Sequence, residues 1–406
     1  MPGTRYSRNS SSEDDAGRAV SERTFANHAK NISVAYGKSL GQRMQRPDDD
    51  CEDVMTQRWT QRPPGSTWGD WGEDDELGRI NLLTPEKVLE GIREVSAGIS
   101  FCLSLPLDLP GGTLLNQRRH PPVISPTEDM NGVPDTFFNV HMSAMEDFGD
   151  PKYVDVWADD VVTLSLQYST QWDSLAHVGA EFDADGDGVE EAVYYNGYRA
   201  GTDLVGPTND AAGDGCGHRS FARHLGLEHM ARHGVQGRGV LVDLEHHLGR
   251  DFRGVRLDTL MEVMAADDVV VEPGDMLLLH TGFATQILEW GGDPDPNEIF
   301  RTCSWLDARD ESLLEWIADS QISALVADNY AVEGMLGKDR KPERHSFLPI
   351  HNLCLFKLGV PLGELWYLHE LATWLREHDR SRFLLTAPPL RLPGIVGSPL
   401  TPVATV

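Results

Sequence analysis

No two cysteines in this chain stand close enough to form a C-x-x-C pair. The five present, Cys51, Cys102, Cys216, Cys303 and Cys354, are far apart and odd in number. The pattern excludes a zinc knuckle or a redox dithiol and reads as reduced thiols, some of them buried. Long hydrophobic runs are missing as well: none approaches the roughly 20 apolar residues that span a bilayer. Where a secretion signal would need an apolar stretch, the N-terminus has Ser10-Ser11-Ser12-Glu13-Asp14-Asp15. Acids so close to the start also argue against a transit peptide. A cytoplasmic location is therefore the expectation. Positive charge is scarce: 35 Lys and Arg face 64 Asp and Glu, a formal net charge of −29. Nucleic acid and anionic membranes both call for basic patches, so neither is an expected partner. A glycine loop of the kind that cradles a nucleotide is also absent.

What is present is a chain that is 40% hydrophobic, enough to build a real core. Residues 1–60 lack sustained apolar periodicity and read as a disordered or loosely attached arm. Arg62-Pro63-Pro64-Gly65 marks the boundary, and 61–406 reads as one catalytic domain. Thr84-Pro85-Glu86 is a helix start: a capping hydroxyl, Pro at the first helical position, then an acid. Residues 99–107 read as a strand, and 108–160 as a long loop rich in Pro, Gly and Asp. Beyond that the chain alternates. Strands are expected at 239–243, 276–281, 322–328 and from 383. Helices are expected at 257–266, 310–319 and near 351–358. This mixture predicts an α/β protein.

The chemistry concentrates at residues 164–177. Leu164, Leu166 and Tyr168 alternate with Ser165, Gln167 and Ser169, the period of a strand with one polar face. Gln167, Ser169 and Gln171 share that face, and Asp173 continues it. His177 follows four residues after Asp173 and can move a proton near neutral pH. Such a strand end makes a pocket wall, or else a solvated face followed by a turn.

The same stretch resembles the signature of the cyclase family, which includes bacterial-type kynurenine formamidases and isatin hydrolases. That signature reads His-x-Gly-Thr-His-x-Asp-x-Pro-x-His. Thr170, Asp173 and His177 fall on its Thr, Asp and last His; Ser169 replaces the Gly and Leu175 the Pro. Gln167 and Gln171 stand where the family has two histidines. Trp68 through Leu83, Tyr194-Tyr195-Asn196-Gly197, Gly237 through Leu241 and Pro273 through Leu278 resemble the same family's fungal and bacterial branch. His351 and Glu364 resemble its second metal segment, at a separation of 13 residues (364 − 351), one more than the family spacing. The resemblance runs over roughly residues 65–400. It implies a swivelling β/β/α fold, a homodimer, a small-molecule substrate and a divalent metal, zinc or manganese. Asp173, His351 and Glu364 would hold that metal, with Gln167 and Gln171 as weak ligands or carbonyl donors. His177 would be the general acid/base. The family's best-known activity is arylformamidase, a step of tryptophan catabolism.

An amide oxygen is a far weaker ligand for such ions than imidazole. Two mechanisms stay open. With a metal retained, a hydrolase would open a C–N or C–O bond next to a carbonyl. Without it, Asp173 and His177 could act as an acid/base pair in a lactonase, cyclase or dehydratase. A third reading is a binding protein that kept the fold and lost catalysis.

Other stretches are weighed beside this one. Trp71 and Trp172, with Trp68, could wall a planar substrate, as could Thr170 and Asn329, although aromatics more often serve the core. Asn329 lies in Asp328-Asn329-Tyr330, at the end of an apolar strand. Asp183-Ala184-Asp185-Gly186-Asp187-Gly188 begins like a calcium loop, but its twelfth position is Tyr194; a polar acidic turn is the plainer reading. His224, His229 and His233 read as surface histidines, His246-His247 as a polar loop near a strand end, and His345 as an outer partner or an exposed residue.

Overall fold

The computed structural model describes residues 58–129, 131–145, 149–207, 220–334 and 344–406. Most of the arm expected over 1–60 lies outside the described residues, as do Cys51 and Cys216. Residues 58–60 belong to the folded body. Trp59 packs against Trp68 at 6.2 Å between ring centroids, and the Thr60 N–H donates to Ala184 O at 2.8 Å.

Apolar runs that alternate between two faces build a mixed sheet of nine strands. In chain order they are β1 (Ser100–Cys102), β2 (Gln171–Asp173), β3 (Gln236–Asp243), β4 (Met276–His280), β5 (Ala324–Ala327), β6 (Leu362–Glu364), β7 (Arg382–Thr386), β8 (Gly397–Pro399) and β9 (Val403–Thr405). Their spatial order is β1-β9-β7-β3-β4-β5-β6-β2-β8. The centre, β3-β4-β5-β6, is parallel, and the flanks are antiparallel. Both faces are buried, as a parallel centre requires. Val240, Val242, Leu277, Leu279 and Leu325 feed one core, while Leu241, Met276, Leu278 and Val326 feed the other. The architecture is α/β, as expected.

Helices cover both faces: α1 (Pro85–Arg93), α2 (Leu227–His233), α3 (Leu244–Leu248), α4 (Leu257–Ala266), α5 (Phe283–Trp290), α6 (Glu311–Asp319), α7 (Pro349–His351) and α8 (His369–Glu377). Thr84 caps α1 by accepting the Lys87 N–H. Among the described residues no helix is long and apolar enough to cross a membrane.

Two expectations contract. The strand read over 99–107 is paired with β9 only at Ser100–Cys102. The strand read from 164 begins at Gln171, because Tyr168 N–H donates back to Ser165 O at 3.0 Å and the chain turns there. The 108–160 stretch is not wholly loop. Val123–Pro126 pairs with Asp160–Thr163, and Val140–His141 with Val156–Trp157, as exposed ribbons.

The motifs at 68–83 and 194–197 clasp each other. Asn196 sits in the left-handed region at φ 56° and donates to the carbonyls of Gly72, Glu73 and Asp75. Gly78 has φ +57°, and a Cβ there would meet Gly359 O at 2.2 Å, so only glycine fits. Pro273-Gly274-Asp275 has a structural role too: fully buried Asp275 accepts from Arg238 Nε at 2.8 Å. Three free thiols are described; Cys303 and Cys354 are buried, and burial pushes Cys303 up to about 12.

Candidate functional site

Residues at the β2–β6 edge converge. In this antiparallel pair Gln171 faces Glu364 and Asp173 faces Leu362. Gln171 and Asp173 share one face of β2, and Trp172 points to the other. His351 arrives from the end of α7, at the start of a π-helical stretch, Asn352–Leu358. A π-helix takes more residues per turn than an α-helix and recurs at functional sites. It can absorb the extra residue between His351 and Glu364.

One ligand atom from each of buried Asp173, His351 and Glu364 lies within 4.8 Å of the others. His351 Nε2 is 3.3 Å from Glu364 Oε1. On the other side of the ring, Nδ1 lies 2.7 Å from Glu333 Oε1, which also accepts the His351 N–H. Gln171 Nε2 donates to Glu364 Oε2 at 3.0 Å and reaches Asp173 at 3.4 Å. Two buried oxygens there make no hydrogen bond: Gln171 Oε1, and Glu364 Oε1, which is only in ion-pair range of His351 Nε2.

Three buried carboxylates around one imidazole make a strongly anionic spot. Burial opposes charge on His351, but Glu333 and then Glu364 outweigh it and push the ring up to about 10. A divalent cation would offset the same carboxylates by displacing that proton. Uncompensated buried charge is costly, and unpartnered buried oxygens are rare. Donor chemistry, burial and the two orphan oxygens therefore fit one cation held by Asp173, His351 and Glu364.

His177 stands at the rim, with Nε2 3.8 Å from Asp173 Oδ2 and Nδ1 2.9 Å from Gln167 Nε2. An amide N–H donating to Nδ1 leaves the ring proton on Nε2, toward Asp173. Gln167 thus contacts His177. Gln171 is oriented by the carboxylates it bridges.

The expected substrate contacts mostly move elsewhere. Trp172 is fully buried in the core, edge-on to Trp366 at 5.0 Å, with its N–H on Ala387 O. Trp68 is core too, packed against Phe356. Trp71 is half-buried in the Gly69–Gly72 turn. Thr170 is a structural clamp: its hydroxyl donates to Leu365 O at 2.6 Å and accepts the Leu105 N–H. The tryptophans read as a wall because aromatic rings suit a planar substrate, but burying them in the core is the commoner use.

Asn329 does line a cavity of about 390 Å³. Its walls include Phe252, Phe300, Trp305, Tyr330 and Glu333. Phe252 and Trp305 lie 4.2 Å apart, and Phe300 meets Tyr330 edge-on at 5.8 Å. Asp173, Glu364 and His177 are not in this wall; Glu333 links it to the centre through His351. Sequence reading missed Glu333 and these aromatics. The one available signal was an acid after the apolar Ala331-Val332, just past a buried strand.

The other histidines and acids weighed from the sequence lie elsewhere. Asp183 accepts the N–H groups of Gly186, Asp187 and Gly188, which makes the acidic turn self-capped. His224 and His229 share Glu76 at 3.2 and 3.1 Å, so they are tethered and not free surface residues. His247 contacts Asp267, His233 is exposed, and so is His345.

Comparisons with known proteins bear on the family and the fold. Residues 102–334 match the family model described as "Putative cyclase"; the match takes in Gln167 through His177 and ends before His351. A crystal structure of a novel cyclase is similar over 85% of this chain and 100% of its own, at 28% identity and a TM-score of 0.64. Isatin hydrolase A from Labrenzia aggregata, bound to benzyl benzoate, is 12% identical with a TM-score of 0.47, over 79% of this chain and 97% of its own. Isatin hydrolase A from Ralstonia solanacearum is 15% identical with a TM-score of 0.45, over 75% and 91%. No curated protein matches.

Proposed function

The chain belongs to the cyclase family, and from that premise we propose that it is a hydrolase acting on a C–N or C–O bond next to a carbonyl. The observation that carries this reading is the convergence of buried Asp173, His351 and Glu364 within 4.8 Å, with His177 beside Asp173. Those three would hold one divalent ion, zinc or manganese, and Gln171 Oε1 is a weak further donor. Bound there, such an ion polarises a carbonyl and acidifies a water.

The chain's own residues do the rest. His177 Nε2 moves a proton between the attacking water and the leaving nitrogen or oxygen. Gln167 holds the opposite ring nitrogen and sets the tautomer. Glu333 fixes His351 in place, as outer partners of metal-bound imidazoles do. The aromatic walls of the neighbouring cavity suit a planar substrate, so aryl formamides and aryl lactones are the first to try. In this reading the body from Arg58 onward is the catalytic unit. A homodimer is part of it, supported by the exposed apolar ribbon residues Val123, Ile124, Val161 and Val162.

One observation favours a second reading. The Gln171 amide already bridges Glu364 and Asp173, which gives the carboxylates a neutral donor without an ion. A metal-free lactonase, with Asp173 and His177 as acid/base pair, would use that arrangement; a binding protein of the same fold would too.

The deciding experiment is a panel of aryl formamides and lactones, run before and after chelation. We expect turnover of at least one substrate, lost on chelation, restored by zinc or manganese, and not restored in Asp173→Asn. Turnover that survives complete chelation selects the metal-free enzyme. Zinc-loaded protein that binds an aryl ligand but turns over nothing sinks the hydrolase.

A further inference from the structure

We propose that Glu245, His280 and His369 form a second transition-ion site, separate from the centre at Asp173. It lies at the carboxyl ends of the parallel strands β3 and β4, the end where open α/β sheets place ligands. Asp243 ends β3 and is the register partner of His280, which ends β4. Glu245 follows in α3, and His369 is the first residue of α8.

One ligand atom of each of the three lies within 4.8 Å of the other two. His280 is 2% exposed. Asp243 Oδ1 takes its Nδ1 at 2.8 Å, which turns Nε2 toward Glu245 Oε2 at 3.0 Å. His369 Nδ1 approaches the same oxygen at 3.6 Å. Yet His280 Nε2 and His369 Nδ1 are both buried atoms without a hydrogen-bond partner. Glu245 Oε2 is near both nitrogens but off the line that an N–H would need. Three atoms that converge at ion-pair distance, with both nitrogens lacking a well-aligned hydrogen bond, are arranged as ligands are around a common ion.

The surroundings complete the arrangement. Each carboxylate spends its second oxygen on an arginine: Glu245 Oε1 on Arg250 Nε at 2.6 Å and Asp243 Oδ2 on Arg376 Nη1 at 2.5 Å. The remaining oxygens are thereby aimed. Asp243 holding the far side of His280 is the carboxylate–imidazole arrangement that orients metal-bound histidines. Two imidazole nitrogens and one carboxylate oxygen select zinc or a similar transition ion over calcium or magnesium. Three protein ligands leave a coordination position open, and His369, 42% exposed, lies on the solvent side.

The test is equilibrium dialysis of chelated, tag-free full chain against zinc chloride, with zinc per chain measured by mass spectrometry. The variants are His369→Ala, Asp173→Asn and the double variant. We expect His369→Ala to bind one zinc fewer than wild type, and the double variant one fewer than Asp173→Asn. If the Asp173 centre takes no zinc, wild type binds one and His369→Ala none, which supports this site equally. Equal zinc in each pair overturns it. Should His369→Ala fail to fold, zinc-edge anomalous diffraction from wild-type crystals decides: a peak between His280 Nε2 and Glu245 Oε2 supports the site, and its absence overturns it.

Discussion

His351 and His280 stand in two clusters, and their local geometry is nearly the same. Both are buried, with Nδ1 held by a carboxylate at 2.7 and 2.8 Å and Nε2 close to a second one. The difference is in what holds the carboxylates. Around His280, Arg250 and Arg376 each take an oxygen. Around His351, the described bonds of Glu333, Glu364 and Asp173 run to imidazole, amide and backbone N–H groups. In the first cluster the carboxylates are paired with cations. The second has no arginine among the described bonds of its carboxylates, and has His177 and an aromatic-walled cavity beside it. Both clusters bring ligand atoms together; under the proposed function the one beside His177 carries the chemistry.

The comparison breaks most directly by mutation. His177→Ala should lower kcat by about 10²–10⁴-fold on any substrate turned over, the usual worth of a positioned acid/base. His369→Ala should leave kcat within about twofold. Equal losses from the two, by steady-state kinetics, would erase the distinction between the clusters.

Trp172 tests the face opposite to the site. Its replacement by Ala should cost about 3–5 kcal/mol of stability, measured by denaturant unfolding, because a fully buried ring is removed from packed surroundings. The surviving folded fraction should keep its substrate KM. A raised KM with unchanged stability would return Trp172 to the substrate wall.

The smallest effect belongs to a third imidazole–carboxylate contact, half exposed. Its Glu76 partner raises His224, and Glu76 is lowered: burial opposes that shift, but His224, the Leu225 N–H and His229 outweigh it. The His224 contribution is fully present below its ordinary 6.5 and fades as pH rises through the raised value. That of Glu76 is present above its ordinary 4.5 and fades as pH falls through the lowered one. The Tm difference between wild type and His224→Ala should therefore be largest between pH 4.5 and 6.5 and shrink on both sides. A difference that does not change with pH would show that His224 acts only by stacking on Tyr198.

Parts of this could be read from the chain directly. The apolar runs of β3, β4 and β5 and the cap of α1 are local patterns, and each formed where expected. Asp173 and His177 were visible because they stand four residues apart in a short segment. Residues 164–170 misled because a turn can carry the alternation of a strand when its apolar side chains pack on different neighbours. Tyr168, for instance, donates its hydroxyl to Gly112 O. Glu333, 18 positions before His351 (351 − 333), offered no spacing to recognise.

By itself, the sequence determined the α/β class, the signature over residues 167–177 with its two glutamines, and the family. These are properties of contiguous residues, where propensity and spacing act at short range. Only the tertiary structure decided which acids share a space. Glu364 meets Asp173 across the antiparallel β6–β2 pair, with His351 brought in by α7 and Glu333 by the segment after β5, whereas Glu245 and His369 meet His280 where parallel β3 and β4 end side by side. Strand order and register bring those ends together, and neither is written in any one segment of the chain.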